Sequence, residues 1–258
     1  MVILADVGNT RIKWAVAAGE DGVSHACTTR TRLHKSALCR SLERLAKTGK
    51  PRGVAIAGVV PEVCALLAEC AVQVAPAEGV QILDYDAFRS VMPIDVGPVI
   101  SPGADRLANA YALRSHYELP ACAVDVGSAL TVDVVDVDGR FVGGAIAPGI
   151  RMQFDALRQN TALLGQVISM PRTNAGIGTD TAAAMAVGIR RGMPWAVVGI
   201  VRGIAAELGC ALKSVVVTGG DARPVYRVLR SEVEAVHFDK ELTLKGLASA
   251  YRTLSAAQ

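Results

Sequence analysis

The sequence predicts an α/β protein made of two similar halves that face each other across a cleft. Two observations support this prediction. An apolar strand, an Asp-Val-Gly turn and a second strand occur in that order twice, at Asp6 and at Asp125, in a chain of 258 residues. β-rich runs and then helical patterns follow each copy. Self-similarity at about half the chain length indicates an internal duplication, so we expect two domains, residues 1–117 and 118–258.

The first copy begins with a strand that is apolar except for one charge. Residues 2–7 lack polar alternation, which is typical of a strand covered on both faces. Asp6 needs a cation or several hydrogen-bond donors in such a place. Gly8 lets the backbone approach a ligand, and two short polar residues follow it before a second strand at residues 12–18. The turn suggests a phosphate and Mg²⁺ cradle, and the alternative is an ordinary hairpin with Gly-Asn as its turn pair.

The second copy repeats this pattern in residues 121–133. The apolar run that ends at Asp125 is followed by Gly127 and Ser128 and then by another β-rich run. Glycine at each turn leaves room for a ligand close to the backbone. Two such turns on one cleft would hold the phosphates of a nucleotide between them.

The rest of the first half alternates helices and strands. Leu38, Leu42 and Leu45 have helical spacing with charges between them, which predicts an amphipathic helix. Residues 91–102 contain three prolines and a glycine, so we expect a long irregular loop there. The predicted elements are a strand at 23–29, a helix at 36–47, a strand at 54–60, a helix at 62–70 and a short strand at 81–83.

That loop leads into Gly103-Ala104-Asp105-Arg106 and then into a helical pattern. Aspartate is favoured at helix N-termini, so a plain helix cap is one interpretation of Asp105. The other is a general base that faces a cleft, beside an arginine able to bind an anion. These residues by themselves leave both interpretations open.

The second half continues in the same style. Gly219-Gly220 follows an apolar strand, and such a turn either passes beneath an adenine or ribose or is a plain loop between strand and helix. Pro194 is expected to start a new helix. The predicted elements are strands at 131–137, 140–146 and 214–217 and helices ending at 158 and covering 182–191, 194–209, 222–231 and 242–254.

Composition excludes several classes of protein. An apolar fraction of 51% and a charged fraction of 20% are typical of globular domains. The net charge of +3 is too mild to favour nucleic acid, and dense basic runs are missing. No uncharged apolar run reaches about 18 residues, so we expect no membrane span. The first residues lack a signal-peptide pattern, so we expect a cytoplasmic protein.

The six cysteines show no Cys-x-x-Cys pair, and the four histidines are scattered. Most of the cysteines have apolar neighbours, which indicates small buried side chains in a reducing compartment. We therefore expect neither a disulfide framework nor a zinc site.

Six short motifs occur in an order and at a spacing that resemble the type III pantothenate kinases, over nearly the whole chain. They are DVGNT at 6–10, VVP at 59–61, GADR at 103–106, DVG at 125–127, GGAIAPG at 143–149 and GTDT at 178–181. The resemblance implies an actin-like fold of two ribonuclease H-like domains, each a mixed five-stranded sheet flanked by helices. It also implies a homodimer that uses ATP, Mg²⁺ and K⁺ or NH₄⁺ to phosphorylate pantothenate to 4′-phosphopantothenate, the first step of coenzyme A biosynthesis.

The resemblance also implies roles for the matching positions. Asp105 would be the catalytic base on the pantothenate hydroxyl, Asp125 would coordinate the monovalent cation, and Asp6 is a possible Mg²⁺ ligand. Pantothenate would bind to Gly103, Ala104, Asp105, Arg106 and Thr181. ATP would bind to Asp6, Val7, Gly8, Asn9, Thr10, Arg11, Ile12, Lys13 and Ser128. Phosphoryl transfer mostly requires positioning and charge neutralisation, which these residue types supply.

Two departures from the family pattern stand out. Ser128 occupies a position that is usually threonine and keeps the hydroxyl. Residues 96–102 lack the usual aromatic residue and Asn-Pro pair, so pantothenate contacts from this loop are not implied.

Two other functions remain possible on the sequence. A regulatory or accessory homologue without activity is one, although such a protein need not keep Asp6, Asp105 and Asp125 together. A kinase of another small hydroxyl substrate, such as a sugar, is the second. The Cys/His zinc cluster of one sugar-kinase group is missing from this sequence.

Overall fold

The computed structural model describes residues 1–19, 22–32, 34–97, 101–173 and 175–257. The strands are β1 Val2–Val7, β2 Arg11–Ala18, β3 Gly22–Arg30, β4 Gly53–Gly58, β5 Val80–Ile82, β6 Ala121–Val126, β7 Ala129–Val135, β8 Phe141–Pro148, β9 Ser214–Thr218 and β10 Val236–Phe238. The α-helices are α1 Lys35–Ala46, α2 Pro61–Ala71, α3 Tyr85–Val91, α4 Ala104–His116, α5 Ile150–Asn160, α6 Thr181–Ala186, α7 Gly192–Leu208, α8 Ala222–Glu232 and α9 Leu242–Ala256.

The two sheets have the same topology. The strand order is β3-β2-β1-β4-β5 in one sheet and β8-β7-β6-β9-β10 in the other. The first strand of each half is antiparallel to the second and parallel to the fourth. The predicted duplication and the mixed five-stranded sheets are therefore confirmed.

The strand β1 runs through the centre of the first sheet and is buried along its whole length. Ile3, Ala5 and Val7 pack with side chains of α1 and α2 in one apolar cluster. Because side chains alternate along a strand, Leu4 and Asp6 point to the opposite face. There α9 contacts β1 and β4, and α4 contacts α9. The sheet thus carries its charged group at one end of a face that helices otherwise cover.

The chain divides into two compact units. One comprises residues 1–118, 137–142 and 241–258, and the other comprises residues 119–136 and 143–240. The last helix packs against α4 of the first unit, for example through close contact of Gly246 with the backbone of Ala108. We predicted from the sequence that this helix belongs to the second domain. The order of residues does not show that the chain crosses back to the first unit at residue 241. The boundary at residues 117 and 118 stays a prediction.

The helix that was expected to begin at Pro194 in fact begins earlier. Helix is continuous from Thr181 to Leu208, with a π-helical turn at Val187–Arg191. In a regular α-helix the ring of Pro194 would clash with the carbonyl of the residue four positions earlier. A π turn widens the backbone at that point and lets the helix continue through the proline. Helix α3 and strand β10 were not predicted, because both are short.

A disulfide joins Cys39 of α1 to Cys70 of α2. The sequence argued against a disulfide framework and did not predict this single bridge. The two cysteines lie 31 residues apart in sequence, and they meet only because both helices pack on the same sheet face. Of the six cysteines, Cys27, Cys64, Cys122 and Cys210 are free.

The helix Thr181–Leu208 is long enough and apolar enough to cross a membrane, by length and composition only. The most apolar stretch of this helix is 44% buried within the protein, and core helices of globular proteins pass the same test. This is the one candidate span that the described residues contain. The expectation of no membrane span stays a prediction.

Candidate active site

The first Asp-x-Gly turn is a tight hairpin between β1 and β2. Gly8 N–H donates to the Arg11 carbonyl at 3.0 Å, which leaves Asn9 and Thr10 at the exposed tip. Val7 and Ile12 are fully buried. Within the predicted ATP loop at residues 6–13, those two side chains belong to the core, and only their backbone is available to a nucleotide.

The charged pair of this loop is Asp6 and Lys13. The two residues are partners in the β1–β2 register and so share one face of the sheet. Lys13 Nζ lies 3.5 Å from Asp6 Oδ2. Asp6 is only 6% exposed, so the lysine provides the cation that a buried carboxylate needs. Burial raises the pKa of the Cys64 thiol to about 11, and the negative charge of Asp6 adds to that rise, so Cys64 stays protonated near neutral pH.

Thr31, the residue after β3, supports this loop and was not among the predicted site residues. The Thr31 hydroxyl donates to the Gly8 carbonyl, and the Thr31 N–H donates to the Thr10 carbonyl at 3.1 Å. Thr31 is 1% exposed. A polar residue just after a predicted strand was the available signal, but the sequence does not show that the end of β3 lies beside this turn.

Asp105 is the second residue of α4. The residue before the helix is Gly103, which has no side chain to cap it. The Asp105 carboxylate accepts the N–H of Arg106 at 2.9 Å through Oδ1. A Cβ on Gly103 would lie 2.6 Å from that same oxygen, so a side chain at this position would displace the carboxylate. The Arg106 N–H is shared, because the Gly103 carbonyl also accepts it at 3.1 Å.

The Asp105 turn adjoins the Asp6 loop through the end of β4. Val59 N–H donates to the Val7 carbonyl at 2.9 Å. A Cβ on Gly103 would lie 3.1 Å from Val59 Cγ1. One residue thus touches both the strand end that carries Asp6 and the glycine beneath Asp105. Within the first unit, the structure brings together the predicted phosphate loop and the predicted base.

Arg106 stacks on an aromatic ring. Its guanidinium carbon lies 5.6 Å from the centroid of Phe141. A cation above a ring face is held by the quadrupole of the ring. The stack thus orients the Arg106 side chain against Phe141.

The second turn is also a tight hairpin, between β6 and β7, but it is one residue shorter than the first. Gly127 N–H donates to the Ala129 carbonyl at 2.9 Å and Ser128 is exposed at the tip. Gly149, just before α5, packs on this turn, because a Cβ there would lie 2.4 Å from the Ser128 carbonyl oxygen. Asp125 is half-buried near the end of β6. Both predicted residues, Asp125 and Ser128, therefore occupy one turn of the second unit.

Thr181 is the first residue of α6 and is exposed. The preceding residue, Asp180, caps the helix by accepting the Ala183 N–H at 2.8 Å. Gly178 packs against the first turn of that helix. The motif at residues 178–181 is thus a capped helix start that leaves the Thr181 hydroxyl accessible.

The predicted metal sites are not tested by the described residues alone. Among the described side chains, no group of three or more His, Cys, Asp and Glu could hold a metal ion. A metal at Asp6 would thus need oxygens from a ligand such as the ATP phosphates.

Residues 98–100 of the predicted loop 91–102 lie outside the described residues, and Ile94 in that loop forms a β-bridge with Phe141.

Solved structures with a similar fold include a sugar kinase and a dehydratase activator. A ROK family glucokinase from Streptomyces griseus, solved with glucose and AMPPNP, matches 98% of this chain and 99% of its own with a TM-score of 0.58 at 13% identity. The activator of the 2-hydroxyisocaproyl-CoA dehydratase from Clostridium difficile, with bound ADPNP, matches 100% of this chain and 96% of its own with a TM-score of 0.54 at 15% identity. At such identities these matches show the fold alone.

The sequence comparisons identify one family within this fold. The type III pantothenate kinase family model matches residues 2–206. The type III pantothenate kinase of Thermomicrobium roseum is 32% identical over 266 residues, which cover 98% of this chain and 98% of the relative. The chain belongs to the type III pantothenate kinase family, and the resemblance stated from the six motifs is confirmed.

Proposed function

We propose that this chain phosphorylates pantothenate with ATP to give 4′-phosphopantothenate, the entry step of coenzyme A biosynthesis, and that Asp105 is the base. Membership of the family establishes the kind of reaction. The observation that supports the assignment of residues is the contact of Val59 with both the Asp6 loop and the Asp105 turn. That contact holds a candidate phosphate site and a candidate base next to each other in one compact unit.

The first turn is the proposed phosphate site. Asn9, Thr10 and Arg11 are exposed at or next to the tip and carry donors suited to phosphate oxygens. Lys13 adds a cation that is paired with Asp6 in the protein alone. Asp6 would hold Mg²⁺ together with the ATP phosphates, and when bound Mg²⁺ neutralises charge on the transferring phosphoryl group. Lys13 would then be freed to approach the phosphates.

Asp105 is the proposed base because of its second carboxylate oxygen. The first oxygen accepts the Arg106 N–H, a bond that favours one orientation of the carboxylate. A fixed carboxylate can orient a primary hydroxyl and accept its proton while that oxygen attacks the γ-phosphorus. Arg106 would bind the carboxylate of pantothenate, with Gly103, Ala104 and Thr181 also in contact with the substrate.

The second turn is the proposed site of the monovalent cation. The Asp125 carboxylate would bind K⁺ or NH₄⁺, and the exposed hydroxyl of Ser128 would contact ATP. A cation here would offset the charge of the carboxylate and of the nucleotide phosphates.

A homodimer is part of the proposal. Small residues recur along the exposed side of the long helix, and a Cβ would meet nothing within 4 Å at Gly188, Gly192, Gly199 or Gly203. Trp195 on the same helix is 53% exposed. A surface of small residues allows another helix to pack closely, and Trp195 adds exposed apolar area to it. A cytoplasmic location, with neither nucleic acid nor membrane as partner, completes the proposal.

The test is ADP release coupled to NADH oxidation, with pantothenate compared against a panel of sugars, and mass spectrometry of the product. Turnover with pantothenate alone, and a product heavier by one phosphoryl group, is expected. Turnover only with a sugar would favour the second candidate substrate class. No turnover with any acceptor, in a protein that is folded and binds ATP, would favour the regulatory homologue.

A further inference from the structure

Asp125 lies between two threonines on one face of the second sheet. The register pairs it with Thr131 on β7 and with Thr218 on β9. Residues paired in register point to the same face, with Cβ atoms about 5 Å apart. Three oxygen-bearing side chains therefore stand side by side across β7, β6 and β9.

Thr218 differs from Thr131 in what its hydroxyl does. The Thr131 hydroxyl donates to Asp133 Oδ2 at 3.4 Å. Thr218 is 0% exposed, and its Oγ1 has no hydrogen-bond partner among the described residues. Because a buried hydroxyl without a partner is unfavourable, such a group in a native fold calls for an explanation. An apolar valine would fill the same space in a buried strand without that cost.

The backbone after Thr218 turns tightly against Asp125. Gly219 has a φ of +102°, and a Cβ on it would lie 2.5 Å from Asp125 Oδ1. The turn is tied to β6, because Asp221 N–H donates to the Val126 carbonyl at 3.0 Å. The end of β9 is thus held in close contact with the Asp125 carboxylate.

We propose that Thr218 Oγ1 is a further protein ligand, next to Asp125, for a monovalent cation such as K⁺. The inference rests on the proposed function, which assigns that cation to Asp125. A hydroxyl oxygen has lone pairs to offer, and hard cations prefer carboxylate and other oxygen ligands. Cation binding gives the buried hydroxyl the partner that it lacks in the protein alone. Thr218 was not among the site residues predicted from the sequence.

The experiment is a K⁺ titration of the thermal unfolding midpoint, at constant ionic strength in choline chloride, with and without ADP and Mg²⁺. The full chain is compared with Thr218→Val, which removes the hydroxyl and keeps the shape. The wild-type midpoint should rise with K⁺. In Thr218→Val the K⁺ concentration for half of that rise should increase about tenfold, as expected for the loss of one ligand. Thr218→Ser keeps the hydroxyl and should restore the wild-type value.

Ser214→Ala is the matched control, because it removes another buried hydroxyl from the same strand, next to Ala121 instead of Asp125. Its K⁺ dependence should equal that of the wild type. A Thr218→Val protein with a wild-type K⁺ dependence, with or without ADP, would overturn the proposal. Thr218→Ala replaces the valine variant if the latter does not fold. Because the assay requires neither pantothenate nor turnover, failure of the kinase proposal and failure of this ligand are seen separately.

Discussion

Asp105→Asn separates the two interpretations of this residue. The residue that precedes α4 is Gly103, so Asp105 is not the capping residue itself. Asp105 Oδ1 accepts one backbone N–H at 2.9 Å, and the amide oxygen of asparagine can accept the same bond. The free energy of unfolding should therefore change by less than about 1 kcal/mol, because the hydrogen bond to the backbone is retained. Asparagine cannot accept the proton of the substrate hydroxyl.

The kinetic effect should be much larger than the effect on stability. Loss of a positioned general base typically lowers the rate about 10²–10⁴-fold. A factor of 10² corresponds to about 2.7 kcal/mol of transition-state stabilisation. We therefore expect kcat to fall at least about 10²-fold in the ADP-release assay, with ATP binding and circular dichroism unchanged.

Asp84→Asn is the matched control for this experiment. Asp84 is the N-cap of α3 in the same unit, and its side chain accepts the Ala87 N–H at 3.0 Å. This variant should keep the wild-type kcat. If Asp105→Asn also kept a near wild-type kcat, the carboxylate would serve only the helix N-terminus and the assignment of the base would be wrong.

Three further results are expected. Arg106→Ala should mainly raise KM for pantothenate, because the lost contact is present in both ground and transition states; a fall in kcat at unchanged KM would contradict this role. Replacing K⁺ and NH₄⁺ by Na⁺ should lower the rate sharply, and Asp125→Ala should remove that salt response with most of the activity; equal rates in all three salts would exclude the cation. Gly199→Trp should block close packing on the long helix and give a monomer by sedimentation velocity, whereas a wild-type chain that is a fully active monomer would refute the dimer.

The sequence determined the architecture because its strongest signals are local. The run Val2–Val7, apolar except for Asp6, marks a strand buried on both faces, and the observed bounds of β1 are the same. The repeat of the Asp-Val-Gly turn at Asp125 predicted the duplication, and the two sheets share one strand order. Helix α1 followed from three leucines at helical spacing, and all three are buried.

The features that the sequence did not predict depend on contacts between residues that are distant in the chain. The helix through Pro194 continues because a π turn precedes the proline, and local propensity predicts a break there. The disulfide between Cys39 and Cys70 requires two helices to pack on one sheet face. Helix α9 packs with the first unit although it ends the chain.

The candidate site also combines residues that the sequence predicted with contacts that only the structure shows. The sequence by itself made Asp6, Asp105 and Asp125 candidate site residues, because a carboxylate next to a glycine turn or a helix start is visible in the order of residues. Only the tertiary structure showed that Val59 contacts both the strand end next to Asp6 and the glycine before Asp105. It also showed that Thr218, with a buried hydroxyl, is the register partner of Asp125. Sheet register decides such neighbours, and register is set by pairing between strands that are far apart in the chain.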